Sequence, residues 1–283
     1  YGAPNPFTFD DKVSFKNFSW RLGANYKIDA RKMLYATIST GFKAGGYNGS
    51  FLDADPTIRL QQLRPFKPEK VTSYELGLKS ELLDRAVTFN LALFYNDYRN
   101  QQLSVLVPGS SIAIFTLTNA QKARTYGTDV ELTIRPVHGL SLTGNFGYLN
   151  TKMTKFVPDA DPSSDYSGNR LSMAPKYSAT LAASYRHDVG DGSSVGISFD
   201  SNYRSKVFFQ PSNNPYDVQE AYWLHNARIS YEFGDGRYEI AGFVRNLADK
   251  KYTVWRSALF DLGFMTGIVG PPRTFGGEFN VKF

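Results

Sequence analysis

The last segment of the chain reads Arg273-Thr-Phe-Gly-Gly-Glu-Phe-Asn-Val-Lys-Phe283, and apolar residues recur in it at alternate positions. Phe275, Phe279, Val281 and Phe283 share one face of an extended strand; Thr274, Glu278, Asn280 and Lys282 share the other. One greasy and one wet face would suit any sheet between oil and water. The stronger constraint is repetition: the pattern returns through nearly the whole chain in segments of about ten residues, the length a tilted strand needs to cross a bilayer.

Trp20, Leu22, Ala24, Tyr26 and Ile28 alternate with Ser19, Arg21, Gly23, Asn25 and Lys27. Tyr74, Leu76, Leu78 and Leu82 oppose Ser73, Glu75, Lys79 and Glu81, and Val130, Leu132 and Ile134 oppose Asp129, Glu131 and Arg135. The cleanest segment sets Tyr177, Ala179, Leu181, Ala183 and Tyr185 against Lys176, Ser178, Thr180, Ser184 and Arg186. Tyrosine at both ends with small or aliphatic residues between is the girdle layout of a lipid-facing strand. Counted this way, about eleven antiparallel strands are expected.

Composition agrees with that reading and removes others. No apolar run approaches a membrane helix, so a membrane location rests on strands. Aromatic residues make up 15% of the chain and glycines number 24, a combination that girdled barrels need. The absence of cysteine removes disulfides, thiolate metal sites and cysteine nucleophiles. The net charge of +6 is spread along the sequence with no basic block, so no nucleic-acid partner is expected. Tyr1-Gly-Ala-Pro-Asn-Pro has neither a charged start nor an apolar run, so the chain is expected to be part of a longer protein.

The connections alternate in length. Short ones are expected near 29–32, 83–85, 136–139, 187–193 and 234–236, and long ones over 43–69, 100–124, 151–174, 206–220 and 249–271. Alternation places every long connection on one rim, the layout of an outer-membrane barrel. Bacterial single-chain barrels have an even strand count, so an odd number points to an open half-barrel, whose unpaired edges in lipid would cost about several kcal/mol per backbone group. Eleven is half of 22, the size of the plugged outer-membrane transporters. The first half of the barrel is therefore expected upstream.

Several stretches carry a family resemblance: Gly41-Phe-Lys-Ala-Gly-Gly-Tyr-Asn48, Phe66-Lys-Pro-Glu-Lys-Val-Thr-Ser-Tyr-Glu-Leu-Gly-Leu-Lys79, Asn119-Ala-Gln-Lys-Ala-Arg-Thr-Tyr-Gly127, Arg245-Asn-Leu-Ala-Asp-Lys-Lys-Tyr252 and Pro272-Arg-Thr-Phe-Gly-Gly. In order and spacing they resemble the C-terminal half of the barrel of a TonB-dependent outer-membrane receptor, from about Phe18 to Phe283. Ala248 departs from the aromatic residue the family often carries there. The resemblance implies that residues 1–283 are the C-terminal part of a barrel domain in a bacterial outer membrane, with a plug domain and the first half of the barrel upstream. It further implies capture of a scarce solute at the extracellular loops, a ferric siderophore first among the candidates, and import with energy delivered by TonB. The implied partners are the TonB complex, the protein's own plug domain, outer-membrane lipid and lipopolysaccharide, and a small-molecule ligand. No cofactor is implied. Phe283, with the alternating residues before it, resembles the terminal signal read by the outer-membrane assembly machinery.

Candidate residues divide by location. Arg21, Glu75, Lys79, Glu131, Arg186, Arg204, Arg228 and Arg245 alternate away from the apolar face and would line a lumen, where they would meet a plug or only water. In the long connections, Tyr47, Phe51, Arg59, Arg64, Phe208, Phe209, Tyr216, Trp255 and Arg256 are candidates for ligand contact. Aromatic faces stack on catecholate, porphyrin or sugar rings, and arginine bonds carboxylate or phosphate bidentately. Rim aromatics also serve plainly as interface anchors.

No catalytic or metal residues are expected. The sequence lacks H-E-x-x-H, G-x-S-x-G and phosphate-loop motifs. His138 falls in a turn, His187 at a strand end and His225 mid-strand on the Trp223 side, with no metal spacing. The alternatives are a passive porin-like diffusion channel, a barrel enzyme built from scattered residues, and a soluble β-sandwich whose apolar faces bury one another.

Overall fold

The computed structural model describes residues 10–49, 59–60, 63–106, 115–158, 163–259 and 263–282. Phe51 and Phe283 lie outside them. Eleven strands of the described residues form one antiparallel sheet in which sequence neighbours pair. They are β1 (Arg21–Asp29), β2 (Lys32–Lys43), β3 (Glu69–Leu82), β4 (Val87–Leu106), β5 (Phe115–Ile134), β6 (Leu140–Lys155), β7 (Tyr177–Gly190), β8 (Ser193–Arg204), β11 (Tyr222–Phe233), β12 (Tyr238–Arg245) and β15 (Thr274–Val281). Two small hairpins, β9 (Val207–Phe208) with β10 (Val218–Gln219) and β13 (Thr253–Leu259) with β14 (Phe264–Val269), sit in the connections between β8 and β11 and between β12 and β15. The wall is a curved meander with β1 and β15 at its edges and no closure between them among the described residues.

The register fixes which side chains share a face. Leu22 lies opposite Ile38, Ile38 opposite Tyr74 and Tyr74 opposite Tyr95. Further along, Leu91 pairs with Val130, Val130 with Phe146 and Phe146 with Ala179. Phe199 pairs with Ala227, Ala227 with Val244 and Val244 with Phe275. An apolar face therefore runs across all eleven strands, and the register shifts at Lys27/Asp29, Lys122/Ala123 and Asp188/Gly190 lie at the ends of the paired segments, outside these rows. This face is solvent-exposed: Tyr177 is 39%, Leu181 54% and Ile229 56% accessible. In a soluble sandwich these residues would be covered, so the open apolar face argues for lipid as its environment.

Aromatic residues band this face at two heights. On the side of the long connections, Tyr74, Tyr95 and Tyr126 are cross-strand neighbours. Tyr148 and Tyr177 have ring centroids 5.5 Å apart, and Tyr203 and Trp223 are 5.0 Å apart. On the side of the short turns, Phe233 lies 5.6 Å from Tyr231 and 5.3 Å from Tyr238. Two belts separated by aliphatic residues are what a bilayer selects, since an aromatic ring with a polar edge is most stable at the interface. The short turns use left-handed backbone: Asp191 and Gly192 have φ of 50° and 65° between β7 and β8, as a tight hairpin turn requires.

The opposite face carries the charges, but it also holds aromatics packed on glycine. Tyr35 pairs with Gly77 and Phe94 with Gly127. A Cβ at Gly77 would enter the Tyr35 ring, and one at Gly127 would collide with the Tyr148 carbonyl oxygen and the Phe94 ring. The ring covers the gap in the neighbouring strand and shields its backbone, a pairing that fixes register in curved sheets.

Connection lengths differ from expectation in one region. β4 and β5 have 20 residues each, about twice the 9–11 that a tilted strand needs. Most of the long connection expected over 100–124 is therefore strand, and β6 likewise continues to Lys155. Beyond the upper belt these strands build their own core: Val105, Ala120, Ala123, Met153, Phe156 and Leu171 are buried together. Strand pairing persists there because one face is covered by protein, with no lipid involved.

Candidate functional site

The rim beyond the upper belt is assembled around the tip of β4 and β5. Asn48, in the first long connection, donates to the Leu117 carbonyl at 3.1 Å and accepts from the Leu117 N–H at 2.7 Å. Asn119 repeats this with Lys67, accepting from its N–H at 2.7 Å and donating to its carbonyl at 2.9 Å. Gln102 donates to the carbonyls of Ala44 and Lys67. The first connection is thus tied to the β4–β5 tip by side-chain amides that imitate a strand partner.

The two hairpins dock on each other. The Thr253 N–H of β13 donates to Gln219 Oε1 at 2.6 Å, and the Ala258 N–H donates to Asp217 Oδ1 at 2.5 Å. Asp217 is only 3% exposed, and burial pushes its carboxyl above the usual carboxylate range, against the lowering effects of the Ala258 N–H and the Arg256 charge. The β9–β10 turn is held from the other side by Asn213, which accepts from the Arg170 N–H at 2.8 Å and donates to the Arg170 carbonyl at 3.0 Å.

β13 also reaches the β4–β5 tip. Trp255 meets Phe115 edge-on with ring centroids 6.2 Å apart. β5 and β12 are separated in the wall by β6, β7, β8 and β11, so the hairpin that follows β12 leans across the mouth and does not continue the wall. A cavity of about 540 Å³ opens at its base, lined by Gln219, Lys250, Tyr252, Thr253, Arg256 and Gly270.

The candidates from sequence are distributed accordingly. Phe208, Phe209, Tyr216, Trp255 and Arg256 all belong to the docked hairpin pair. Tyr216 is exposed, whereas Phe209 is 5% exposed and presents no ring face to solvent in this conformation. Arg256 donates to Thr253 Oγ1 at 3.3 Å and faces the cavity at the hairpin base. Tyr47 lies in the first connection, where a hydrogen bond to Asp11 and then burial push its phenol up to about 12. The Arg59 carbonyl accepts from the Leu63 N–H at 3.0 Å, and Arg64 is exposed in the turn that follows. Phe115, Asn119, Gln102 and Asp217, which hold the rim together, were not among the expected residues. The alternation Phe115-Thr-Leu-Thr118 was the available signal for the β5 extension.

On the polar face, all eight lumen candidates share one side of the sheet by register. Arg21 pairs with Ser39, Glu75 with Thr37, Lys79 with Asn90 and Glu131 with Asn145. Arg186 pairs with Gly196, Arg204 with Ser178, Arg228 with Ser198 and Arg245 with Thr274. Two of the eight are paired within the wall: Arg186 to Glu232 at 2.9 Å, and Arg228 to Glu239 at 2.6 Å and Glu278 at 3.5 Å. Lys282 joins Glu232 at 3.6 Å. Lys79 and Arg245 lie over the rings of Tyr35 and Phe243, and among the described residues Arg21, Lys79, Arg204 and Arg245 form no ion pair. A hollow of about 450 Å³ on this face is lined by Asp129, Glu131, Asn145, Thr180, Asn202 and Arg204, among others.

A family model described as TonB dependent receptor-like, beta-barrel, matches residues 2–247. The chain is 27% identical over 295 aligned residues to the pesticin receptor of Yersinia pestis, covering 99% of this chain and 38% of that protein. It is 25% identical to the ferrichrome outer membrane transporter/phage receptor of Escherichia coli, covering 86% of this chain and 30% of that protein. Among solved structures, the ferric yersiniabactin uptake receptor FyuA from Yersinia pestis superposes with a TM-score of 0.75 at 24% identity, over 93% of this chain and 37% of that one. BauA, the ferric preacinetobactin receptor from Acinetobacter baumannii, superposes at 0.66 with 21% identity, over 92% of this chain and 35% of that one. These likenesses bear out the fold, and the chain spans well under half the length of the relatives it matches.

Proposed function

The chain belongs to the TonB-dependent receptor-like β-barrel family of the bacterial outer membrane, and from that premise we propose that it forms part of the wall and rim of an importer. The importer binds a scarce solute, a ferric siderophore in the leading reading, at its extracellular connections and moves it inward with energy delivered through TonB. The relatives named for pesticin and ferrichrome and the structures described for ferric yersiniabactin and preacinetobactin support the ligand class. The observation that carries the proposal is the convergence of the first connection and the β13–β14 hairpin on the β4–β5 tip, above a polar concave face and beside an exposed apolar one. A hairpin that leans across the mouth gives a receptor a binding rim.

Lipid satisfies the apolar face, and further strands pair the edges of β1 and β15, eleven strands being half of the 22 of plugged transporters. A plug domain occupies the lumen, and the cations with no ion pair among the described residues, Arg21, Lys79, Arg204 and Arg245, are the first to meet it. Exposed or wet ion pairs are worth about 0–1 kcal/mol each, which suits a plug that must move. Uptake of radiolabelled ferric siderophore by cells carrying the full-length protein tests the reading. Uptake should collapse when TonB is deleted or the proton gradient is discharged; transport that persists in either case would mark a channel.

A further inference from the structure

Asn48 is the one asparagine in the sequence that glycine follows. Its side-chain amide closes a ring with Leu117 on β5, 69 residues away: Oδ1 accepts from the Leu117 N–H and Nδ2 donates to the Leu117 carbonyl. The base of the same connection is closed separately. Gly46 and Phe66 exchange backbone hydrogen bonds of 3.2 and 2.8 Å, and Gln102 holds the carbonyls of Ala44 and Lys67. Asn48 is therefore a tie beyond that bridge. Gly49 behind it is exposed, and its N–H makes no hydrogen bond to a described residue. A Cβ at Gly49 would meet nothing within 4 Å. The backbone nitrogen after Asn48 is thus unengaged and uncrowded. Asn119 makes the same kind of ring with Lys67, but Ala120 follows it and both are buried within β5.

That arrangement permits a reaction of the chain with itself. The Gly49 nitrogen, on losing its proton to water, attacks Cγ of Asn48. A bond forms between them, the Cγ–Nδ2 bond breaks, and Nδ2 leaves as ammonia, taking a proton from water. Water then opens the cyclic succinimide. Addition at Cγ gives aspartate; addition at the Asn48 backbone carbonyl gives isoaspartate, in which the main chain runs through Cγ. The sum consumes a water and releases an ammonia, with no oxidant or reductant. Glycine favours the attack because, lacking a Cβ, it lets the backbone fold back on the side chain. The ring with Leu117 opposes it, since Cγ must leave β5 to meet the nitrogen. The products cannot remake that ring. An ionised aspartate has acceptors only, so while one oxygen meets the Leu117 N–H the other is set against the Leu117 carbonyl. Isoaspartate also lengthens the main chain. We infer that Asn48-Gly49 is a site of spontaneous deamidation whose products release this part of the first connection from Leu117, a one-way loosening of the rim. The inference rests on local geometry and is independent of the imported ligand.

The test uses the full-length protein carrying this chain, held folded in mild detergent and mildly alkaline buffer and sampled over days. The tryptic peptide 44–59 contains Asn48 as its only side-chain amide, so a deamidation mass shift in it reports this residue. An isoaspartyl methyltransferase labels the isoaspartate fraction. In the folded protein Asn48 should convert while Asn119 stays intact. Conversion should be about tenfold or more faster in urea, where the two hydrogen bonds of the ring are gone. Gly49→Ala, which adds a methyl into open space, should slow conversion about tenfold or more in both states. Hydrogen exchange at the Leu117 amide should rise in step with conversion, and should be raised from the outset in Asn48→Asp. Gel mobility without heating reports whether each variant has folded. An Asn48 that stays intact in the folded protein while converting in urea would overturn the site, as would an unchanged rate in Gly49→Ala. Conversion without faster exchange at Leu117, or at the same rate folded and in urea, would overturn the release.

Discussion

Trp255 on β13 meets Phe115 on β5 edge-on, at 6.2 Å between centroids and 67° between planes, although four strands of the wall separate β5 from β12. This contact anchors the second hairpin over the mouth. Removing the indole by Trp255→Ala should loosen the hairpin and remove a stacking face, and Arg256→Ala should remove the cation at its base. At least one of the two should weaken binding of the cognate ferric siderophore by about tenfold, as large buried aromatic and arginine contacts do. Titration of the purified protein measures this; unchanged affinity in both would remove this hairpin from the ligand site.

Asp217 gives the hairpin a pH dependence. Its carboxyl is held above the usual range, chiefly by burial, so the docked state prefers the protonated form. The sign follows from linkage: the stability contributed is complete below the carboxyl's unfolded value of about 4 and is lost as pH rises through the raised folded value. Fluorine NMR of a fluorotryptophan at position 255 should therefore show tighter docking at pH 4 than at pH 7. Asp217→Asn keeps an oxygen to accept from the Ala258 N–H and should abolish the difference; an unaltered pH response would exclude Asp217 as its source.

Gly127 is expected to tolerate no side chain. Gly127→Ala places a methyl against the Tyr148 carbonyl and the Phe94 ring, backbone on one side and a packed ring on the other. Overpacking of this kind costs about 1–3 kcal/mol. Denaturant titration of the refolded barrel checks the value, and a neutral result would show that both the β6 backbone at Tyr148 and the Phe94 ring give way freely.

Leu181 sits midway between Tyr177 and Tyr185 on an apolar strand face. Leu181→Arg should destabilise the barrel by about 2–4 kcal/mol, the range for a cation at the lipid-facing midplane. Thr180→Arg, one residue away and on the wet face, should cost far less. Paired unfolding measurements in the same bilayer test this, and equal costs would mean that the two faces are not distinguished by lipid.

Much of the wall was legible because its physics is local. Each spanning strand must alternate between oil and water, and Tyr177 to Tyr185 states that in nine residues. The charges of the polar face were legible for the same reason, and register puts Arg186 and Arg228 on one side of the sheet. The rim was less so. Above the belt no bilayer imposes alternation, so the extensions of β4 and β5 depend on a core assembled from Val105, Ala120, Met153, Phe156 and Leu171, which are distant in sequence. The docking of Asp217 on Ala258 spans 41 residues and has no periodic signature. The glycine–aromatic pairs were hidden because a lone Tyr35 or Phe94 on a wet face has meaning only once its cross-strand partner is known.

The division of the sheet into a lipid face and a lumen face is tested most directly by spin labels at adjacent positions. The chain has no cysteine, so Leu181→Cys and Thr180→Cys each introduce one label site within it. In the full-length protein reconstituted into liposomes, collision rates with oxygen and with an aqueous nickel chelate report the environment of each label. Leu181 should be open to oxygen and shielded from nickel, and Thr180 the reverse. Matching profiles at the two positions, or nickel reaching the label at 181, would contradict a membrane-spanning wall.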